Sequence, residues 1–457
     1  MQQPARRQIV ALLGAVLLLA ACGPATPSAS APASVQPSAS TAPSIGLGEV
    51  VPAPGSSSTI YQPNPSAIVV AIDPGHGGCL DWGVPDPGKN GPNFSEKAMT
   101  LAIGLELKRV LESQGITVVM TRETDDAIAG DDYPALGCNG PRFRDVNGDG
   151  GAGFDPEGKT RTRDELQSRL DLVNLARADV LVSIHINSVT ENGAIFEIAL
   201  TQTYYTDETP WGPTATERLA HLVQDGVVAA IDPVASYERQ DRGISAVNLY
   251  IVAPPLFVTT PERPDPVMQP TRGALMPAIL TEIGSITLAA EHDLLLSPEG
   301  QTAAAAGIAS ALEPYFSDRP LAVRFDALVP GGEAGIVPTA VEGSGPPFWA
   351  PNVSAADLAA GIRVRLTNTG TETWPADLEV LGGWETSDQP YLRAAPETLG
   401  DLAIGVPPLA PGESVVVLVK MAIPAGGGGI LWVTLSGGTA PLSDLGSAPL
   451  QLATDAS

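Results

Sequence analysis

Two histidines and two glutamates stand where apolar segments give out, and together their side chains could hold a metal ion and move a proton. His76 follows Ile68-Val69-Val70-Ala71-Ile72-Asp73, in the run Asp73-Pro74-Gly75-His76-Gly77-Gly78. His185 follows Val180-Leu181-Val182-Ser183-Ile184, and Glu282 follows Ala278-Ile279-Leu280-Thr281. Glu96 opens an amphipathic segment. The chain has four histidines, so two of them at such ends carry weight. A catalytic zinc site takes three nitrogen or oxygen ligands, leaves one position open and needs a carboxylate base nearby. His76, Glu96 and His185 can supply the ligands and Glu282 the base. Plainer readings compete: His76 as a turn residue, His185 as a core histidine, Glu96 as a first-turn acid favoured by the helix dipole. Glycines on both sides of His76 let a metal approach closely. An acid in an apolar strand is costly to bury unless it is paired or used. His221 falls off its apolar stripe and reads as a surface residue; His292, in a polar stretch beside Glu291 and Asp293, has no assigned role.

The surrounding elements must bring these residues together. Met99, Ile103, Leu107, Val110 and Leu111 fall on one helical face, and Ile116 to Met120 reads as a strand. Leu166, Leu170 and Val173 mark a helix that feeds the His185 strand. Leu219, Leu222, Val223, Val227, Ala230 and Ile231 mark another. Ser297-Pro298-Glu299 is a capped helix start, for a helix running through Leu312. Strand and helix in alternation predict an α/β domain with an open, largely parallel sheet and helices on both faces. Ligands of such sheets bind beyond the carboxyl ends of the strands. That places His76, His185 and Glu282 on one rim. Two inserts interrupt the pattern. Residues 127–163 are rich in Gly and Asp, and residues 253–273 hold six prolines just before the Glu282 strand. The second reads as a lid bordering the cleft.

Four fragments in order carry a family resemblance: AIDPGHGG, SEKAMTLAIGLELKRVLESQGITVVMTRETD, SRLDLVNLARADVLVSIHINS and MPAILTEIGSIT. They resemble the zinc-dependent N-acetylmuramoyl-L-alanine amidases over roughly residues 68–316. The resemblance implies zinc ligands at His76, Glu96 and His185 and a catalytic Glu282. Arg169, Asn174 and Arg242 match polar positions of the family; the first two read as structural helix residues and Arg242 as a candidate substrate contact. One stretch departs from the pattern. Gly193 leads into Ala194 to Leu200, with Tyr204-Tyr205 displaced later, so the substrate-facing contacts there do not carry over.

Composition narrows the rest. The 457 residues allow two or three domains, and an apolar fraction of 44% is ample for a core. Glycine and proline, 48 and 44 residues, signal long loops rather than a helical bundle. A net charge of −26 excludes a nucleic-acid partner, which needs clustered Lys and Arg. Arg6-Arg7 precedes an apolar run from Ile9 to Ala21, too short for an ordinary transmembrane helix but suited to export. Leu19-Ala20-Ala21-Cys22 resembles a lipoprotein signal, with Cys22 lipidated; an ordinary secreted chain is the alternative. Residues 1–21 therefore read as signal peptide and 22–65 as an Ala/Pro/Ser tether. Residues 66–317 read as the catalytic domain. Cys79 and Cys138, an even pair in an exported chain, suggest a disulfide; free thiols, or Cys79 on the metal, are the alternatives. Asp145-Val146-Asn147-Gly148-Asp149-Gly150 matches the start of a calcium loop, with Asp145, Asn147 and Asp149 as candidate ligands. Position twelve is Pro156 rather than Glu, and a plain Asx-rich turn is the other reading.

After about Ser317 apolar alternation takes over, in 361–366, 414–420 and 430–435, with turn signals between. Residues 318–457 thus read as an all-β sandwich. The spacing Asn368-x-Gly370-x-x-x-Trp374 resembles immunoglobulin-like modules of exported bacterial proteins. The chain is expected to be a lipid-anchored, extracytoplasmic zinc amidase facing the cell wall. It would cleave the N-acetylmuramic acid–L-alanine bond of peptidoglycan during wall remodelling or daughter-cell separation. Another wall-directed metallopeptidase and a non-catalytic wall-binding lipoprotein are the alternatives.

Overall fold

The computed structural model describes residues 68–78, 81–86, 88–128, 146, 163–191, 194–207, 214–253, 273–336, 338–341, 348–385, 400–424, 429–437, 440–443 and 445–454. Cys22, Cys79, Cys138, Asp145, Asn147 and Asp149 lie outside the described residues, as do the signal peptide, the tether and nearly all of the proline-rich insert. Among the described residues, no helix is long and apolar enough to cross a membrane.

The first half builds one six-stranded sheet. Its strands are β1 (Val69–Pro74), β2 (Thr117–Met120), β3 (Val180–Asn187), β6 (Ala199–Tyr205), β7 (Arg239–Ala246) and β8 (Ala278–Ser285), in the order β2-β1-β3-β8-β6-β7. A short hairpin, β4 (Thr190–Glu191) with β5 (Ala194–Ile195), stands apart. The helices are α1 (Glu96–Ser113), α2 (Arg163–Leu175), α3 (Thr214–Ile231), α4 (Ala289–Leu296) and α5 (Pro298–Ser317). Alternate residues of the central strands enter two apolar layers. Val70, Ile72, Val182, Ile184, Ile279 and Ile283 meet α1, α3 and α5 on one face. Val69, Ala71, Leu181, Ala278 and Leu280 meet Leu170 and Val173 of α2 on the other. Burial on both faces explains why these strands read as nearly continuous apolar runs.

The sheet is largely parallel, as expected, with one antiparallel pair. β2, β1, β3 and β8 run together, but β6 pairs antiparallel with β8, and β7 is parallel to β6. The segment between β3 and β6 spans eleven residues, fewer than a crossover helix and its return require. β6 therefore starts on the rim where β3 ends. α5 extends to Ser317, past the expected Leu312, and its cap is as read: Ser297 Oγ accepts from the Gly300 N–H at 3.1 Å. His292, expected in a polar loop, lies buried in α4 with Nε2 against the Phe94 carbonyl at 2.9 Å.

A buried ion pair ties α2 to the sheet. Arg169 donates to Asp73 Oδ1 at 2.7 Å and to Glu165 at 2.8 Å, and Asp73 also accepts from Ser183 on β3 and from Thr121 just past β2. On the opposite face α3 and α5 cross at two glycines. A Cβ on Gly307 would lie 2.6 Å from the Gly226 carbonyl, and one on Gly226 would lie 2.4 Å from the Gly307 carbonyl.

Residues 323–454 form two sheets. One contains β9 (Val323–Ala327), β12 (Ile362–Asn368) and β15 (Ser414–Val419), in the order β15-β12-β9. The other is ordered β10-β11-β18-β16-β13-β14, with β17 (Ala440–Pro441) on β16. Its strands are β10 (Pro338–Val341), β11 (Phe348–Val353), β13 (Leu378–Trp384), β14 (Leu402–Gly405), β16 (Ile430–Gly437) and β18 (Leu450–Thr454). Both sheets contribute to one apolar core around Phe325, Val364, Val380, Leu431 and Val433. Asn368 closes the turn seen in the sequence, accepting from the Gly370 N–H and donating to the Glu372 and Leu409 carbonyls, while Trp374 is buried in the core. The two halves meet at Asp179. It accepts from Arg319 at 3.3 Å, from Arg324 at 3.1 Å and from the Val69 N–H at 2.9 Å, and Arg177 pairs with Asp326 at 2.6 Å.

These contacts have measurable consequences. Gly307→Val must push the backbones of α3 and α5 apart, so it should lower stability by about 2 kcal/mol in a denaturant titration, the middle of the overpacking range. Gly400→Ala, whose added Cβ meets nothing within 4 Å among the described residues, should be near neutral. For Asp73, burial opposes the charge, but Arg169 and the two hydroxyls outweigh it and hold the carboxyl down at about 2, from an ordinary value of 3.8. A depressed folded-state value stabilises above the unfolded value, and that stabilisation is lost as pH falls through the folded one. Asp73 should thus contribute about 2 kcal/mol in full above pH 4, fading toward pH 2. Stability measured from pH 5 to pH 2 should fall less steeply in Asp73→Asn than in the wild type.

Candidate metal centre and active site

β1 delivers His76 into a turn whose glycines make room for His185 and Glu96. A Cβ on Gly75 would lie 2.4 Å from the His185 ring, so only glycine fits. Gly83, at φ +67°, would place a Cβ 2.3 Å from Glu96 Oε2. His76 itself has φ +61°, a left-handed backbone uncommon for a side chain of its size. β3 presents His185 beside it, the two rings 4.8 Å apart and edge-on. Glu96, at the first position of α1, reaches both. Its Oε1 lies 2.9 Å from His185 Nδ1 and accepts from the Ile186 N–H at 3.0 Å. Its Oε2 lies 3.2 Å from His76 Nε2 and accepts from the Val84 N–H at 2.8 Å.

His76, Glu96 and His185 each offer a ligand atom, all within 4.8 Å of one another. Two imidazoles and a carboxylate are a donor set that suits zinc. An outer carboxylate completes the pattern: Asp81 lies 2.8 Å from His76 Nδ1 and leaves Nε2 for the centre. The electrostatics agree. Burial opposes charge on His76, but Asp81 and Glu96 raise its pKa well above the ordinary histidine value. Despite burial, the two histidines hold Glu96 well below the usual carboxylate range. A field that favours a proton here favours a metal cation for the same reason.

Glu282 stands directly across from His185 on one side and Gln202 on the other. Its Oε2 is buried and, among the described residues, has no hydrogen-bond partner. Burial and then the negative charge of Glu96 push its carboxyl well up, while His76 opposes the rise. Two carboxylates on one rim are thus driven to opposite ends of the scale, the arrangement that separates an acid–base group from a ligand.

All four residues singled out from the sequence therefore converge. Arg242 lies on β7, two strands beyond Glu282, where the register slips opposite Gln202. Burial and the charge of Glu282 raise the Tyr204 phenol to about 12 while Arg242 pulls it down, so this row of side chains is continuous with the site. Gln202 bridges the row, donating to Ser245 at 2.9 Å and accepting from the Tyr204 hydroxyl at 3.1 Å. Sequence reasoning missed Asp81 and Gln202. Asp81, a carboxylate five residues past a candidate ligand, was findable; Gln202 is marked only by strand register.

The family model described as N-acetylmuramoyl-L-alanine amidase matches residues 70–314. The germination-specific N-acetylmuramoyl-L-alanine amidase of Bacillus subtilis (strain 168) is 24% identical over 258 residues, 56% of this chain and 82% of that protein. The sporulation-specific amidase of the same organism is 25% identical over 252 residues, 55% of this chain and 69% of its own length. Among solved structures, the N-acetylmuramoyl-L-alanine amidase from Clostridium difficile 630 is 25% identical at a TM-score of 0.37, covering 56% of this chain and 99% of that one. The chain belongs to the N-acetylmuramoyl-L-alanine amidase family, and its reaction is hydrolysis of the amide joining N-acetylmuramic acid to L-alanine in peptidoglycan.

Proposed function

We propose that His76, Glu96 and His185 hold one zinc ion and that Glu282 is the general base of the amidase reaction. The convergence of the three donors beside a buried, unpaired Glu282 oxygen carries this reading. Zinc bound there supplies Lewis-acid polarisation of the scissile carbonyl. Asp81, bonded at Nδ1, keeps the second nitrogen of His76 facing the centre. Glu282 takes a proton from the attacking water as the C–O bond forms. It returns that proton to the L-alanine nitrogen as the C–N bond breaks, releasing the muramic lactyl carboxylate and a free amine. A raised pKa lets one carboxyl serve in both directions. Arg242, exposed at the outer end of the row through Gln202, is suited to a carboxylate of the stem peptide.

The remaining assignments rest on the sequence. Cys22 is lipidated and anchors the chain outside the cytoplasm. From the sequence we infer a Cys79–Cys138 disulfide and calcium oxygens from Asp145, Asn147 and Asp149. Residues 318–457 are an immunoglobulin-like module.

Glu282→Gln separates base from ligand. It keeps the shape but cannot take a proton, so turnover of purified peptidoglycan should fall by about 10²–10⁴ with zinc content unchanged. His185→Ala should lose zinc as well. A Gln variant retaining more than about a tenth of wild-type activity, below the low end of that range, removes Glu282 from the base role. One that loses zinc makes Glu282 a ligand. Products lacking new muramic carboxyl groups and showing cut peptide bonds would instead favour a metallopeptidase.

A further inference from the structure

Three consecutive carbonyls of the turn that carries His76 are gripped by two buried arginines. The Pro74 carbonyl accepts from Arg169 Nη1 at 2.8 Å and from Arg122 Nε at 2.9 Å. The Gly75 carbonyl accepts from Arg122 Nη2 at 3.0 Å and from the Thr100 hydroxyl at 2.8 Å. The His76 carbonyl accepts from Arg169 Nη2 at 2.7 Å. Arg169 and Arg122 are 1% and 3% exposed. Neither is free to swing. Arg169 is fixed by Asp73 and Glu165, and Arg122 also donates to the Lys97 carbonyl at 2.8 Å and to that of Thr124 at 3.1 Å. A planar guanidinium has five donors in a fixed fork, so each can hold several acceptors in one geometry.

The object of this grip is an unfavourable backbone. A non-glycine residue in a sparsely populated region costs about 1–3 kcal/mol and persists only where its surroundings over-determine it. His76 at φ +61° is such a residue. The glycines around it tolerate many conformations, so the turn has little stiffness of its own.

We propose that Arg169 and Arg122 are positioning residues that hold the Pro74–His76 backbone in the one conformation that aims the His76 imidazole at Glu96 and His185. The proposal rests on the reading of His76 as a zinc ligand. Both arginines act through the main chain; their hydrogen bonds go to carbonyls, Thr100, Asp73 and Glu165. Lysine keeps the charge but is a point donor on a flexible stem and cannot span the same acceptors.

The test uses Arg169→Lys, Arg122→Lys, His76→Ala and Gly307→Val in the full chain. Zinc affinity is measured by competition with a chelator, and coordination geometry by the visible spectrum of cobalt(II)-loaded protein. In the arginine variants zinc should still bind at one per chain, with affinity at least about tenfold weaker and altered cobalt bands. Gly307→Val, destabilised away from the site, should keep both properties of the wild type. That contrast distinguishes positioning from general loss of stability. Folded Arg169→Lys and Arg122→Lys proteins with wild-type affinity and spectrum overturn the proposal; if Arg169→Lys does not fold, Arg122→Lys decides it. His76→Ala separates the two levels. Wild-type zinc affinity in that variant overturns the zinc site itself. Lost zinc there, with both lysine variants unaffected, overturns the positioning role alone.

Discussion

The pairing of Asp73 with Arg169 is the constraint on which the amidase half is assembled. Asp73 sits at the end of β1 and is 1% exposed. It takes hydrogen bonds from β3 through Ser183, from the end of β2 through Thr121 and from α2 through Arg169. One carboxylate thus reads the relative positions of three strands and a helix. Buried ion pairs seldom add net stability, but breaking one leaves a bare charge and costs about 3–5 kcal/mol. Alternative packings of α2 or slipped registers of β1 would all strand Asp73. The pair therefore selects one arrangement, and that arrangement brings His76 and His185 side by side.

The chemistry above it is a matter of sorting carboxylates. Asp81, Glu96 and Glu282 gather around two imidazoles on one rim. Asp81 and Glu96 each have a histidine partner, and both stay ionised. Among the described residues Glu282 has no partner for Oε2, and its pKa rises. The difference comes from strand geometry. Glu282 lies in the middle of the sheet between His185 and Gln202, and among the described residues no donor reaches its Oε2. An environment that leaves one acid short of donors gives it the capacity to exchange a proton.

Much of this was legible beforehand, for a physical reason. β1, β3 and β8 are buried on both faces, so they appear as apolar runs, and the polar residues that end them mark the rim. The α1 stripe of Met99, Ile103, Leu107 and Leu111 is buried as its spacing demands. What stayed hidden depends on pairing between distant segments. The reversal of β6 is not encoded in its own composition, because a strand buried on both faces looks the same in either direction. Gln202 gains its place only from its register against Glu282. Arg122 and Arg169 look like ordinary charged residues, and only three-dimensional contacts reveal that they spend their donors on backbone carbonyls. His292 misled because its charged neighbours suggested a loop, while helix α4 turns it inward.

Asp179 bears on how this protein can be taken apart. It immediately precedes β3, the strand that bears His185, and it is shared: Val69 reaches it from the amidase half, Arg319 and Arg324 from the sandwich half. Modules of exported proteins are often treated as cassettes that can be excised or swapped at a linker. Here the cassette boundary runs through a salt-bridged carboxylate rather than along a bare linker. An amidase fragment ending at residue 317 would carry Asp179 without either guanidinium, at the root of the strand that bears His185. A sandwich transplanted onto another enzyme would bring two arginines with no acid to meet them. Exchange between relatives would succeed only where both sides of that contact travel together.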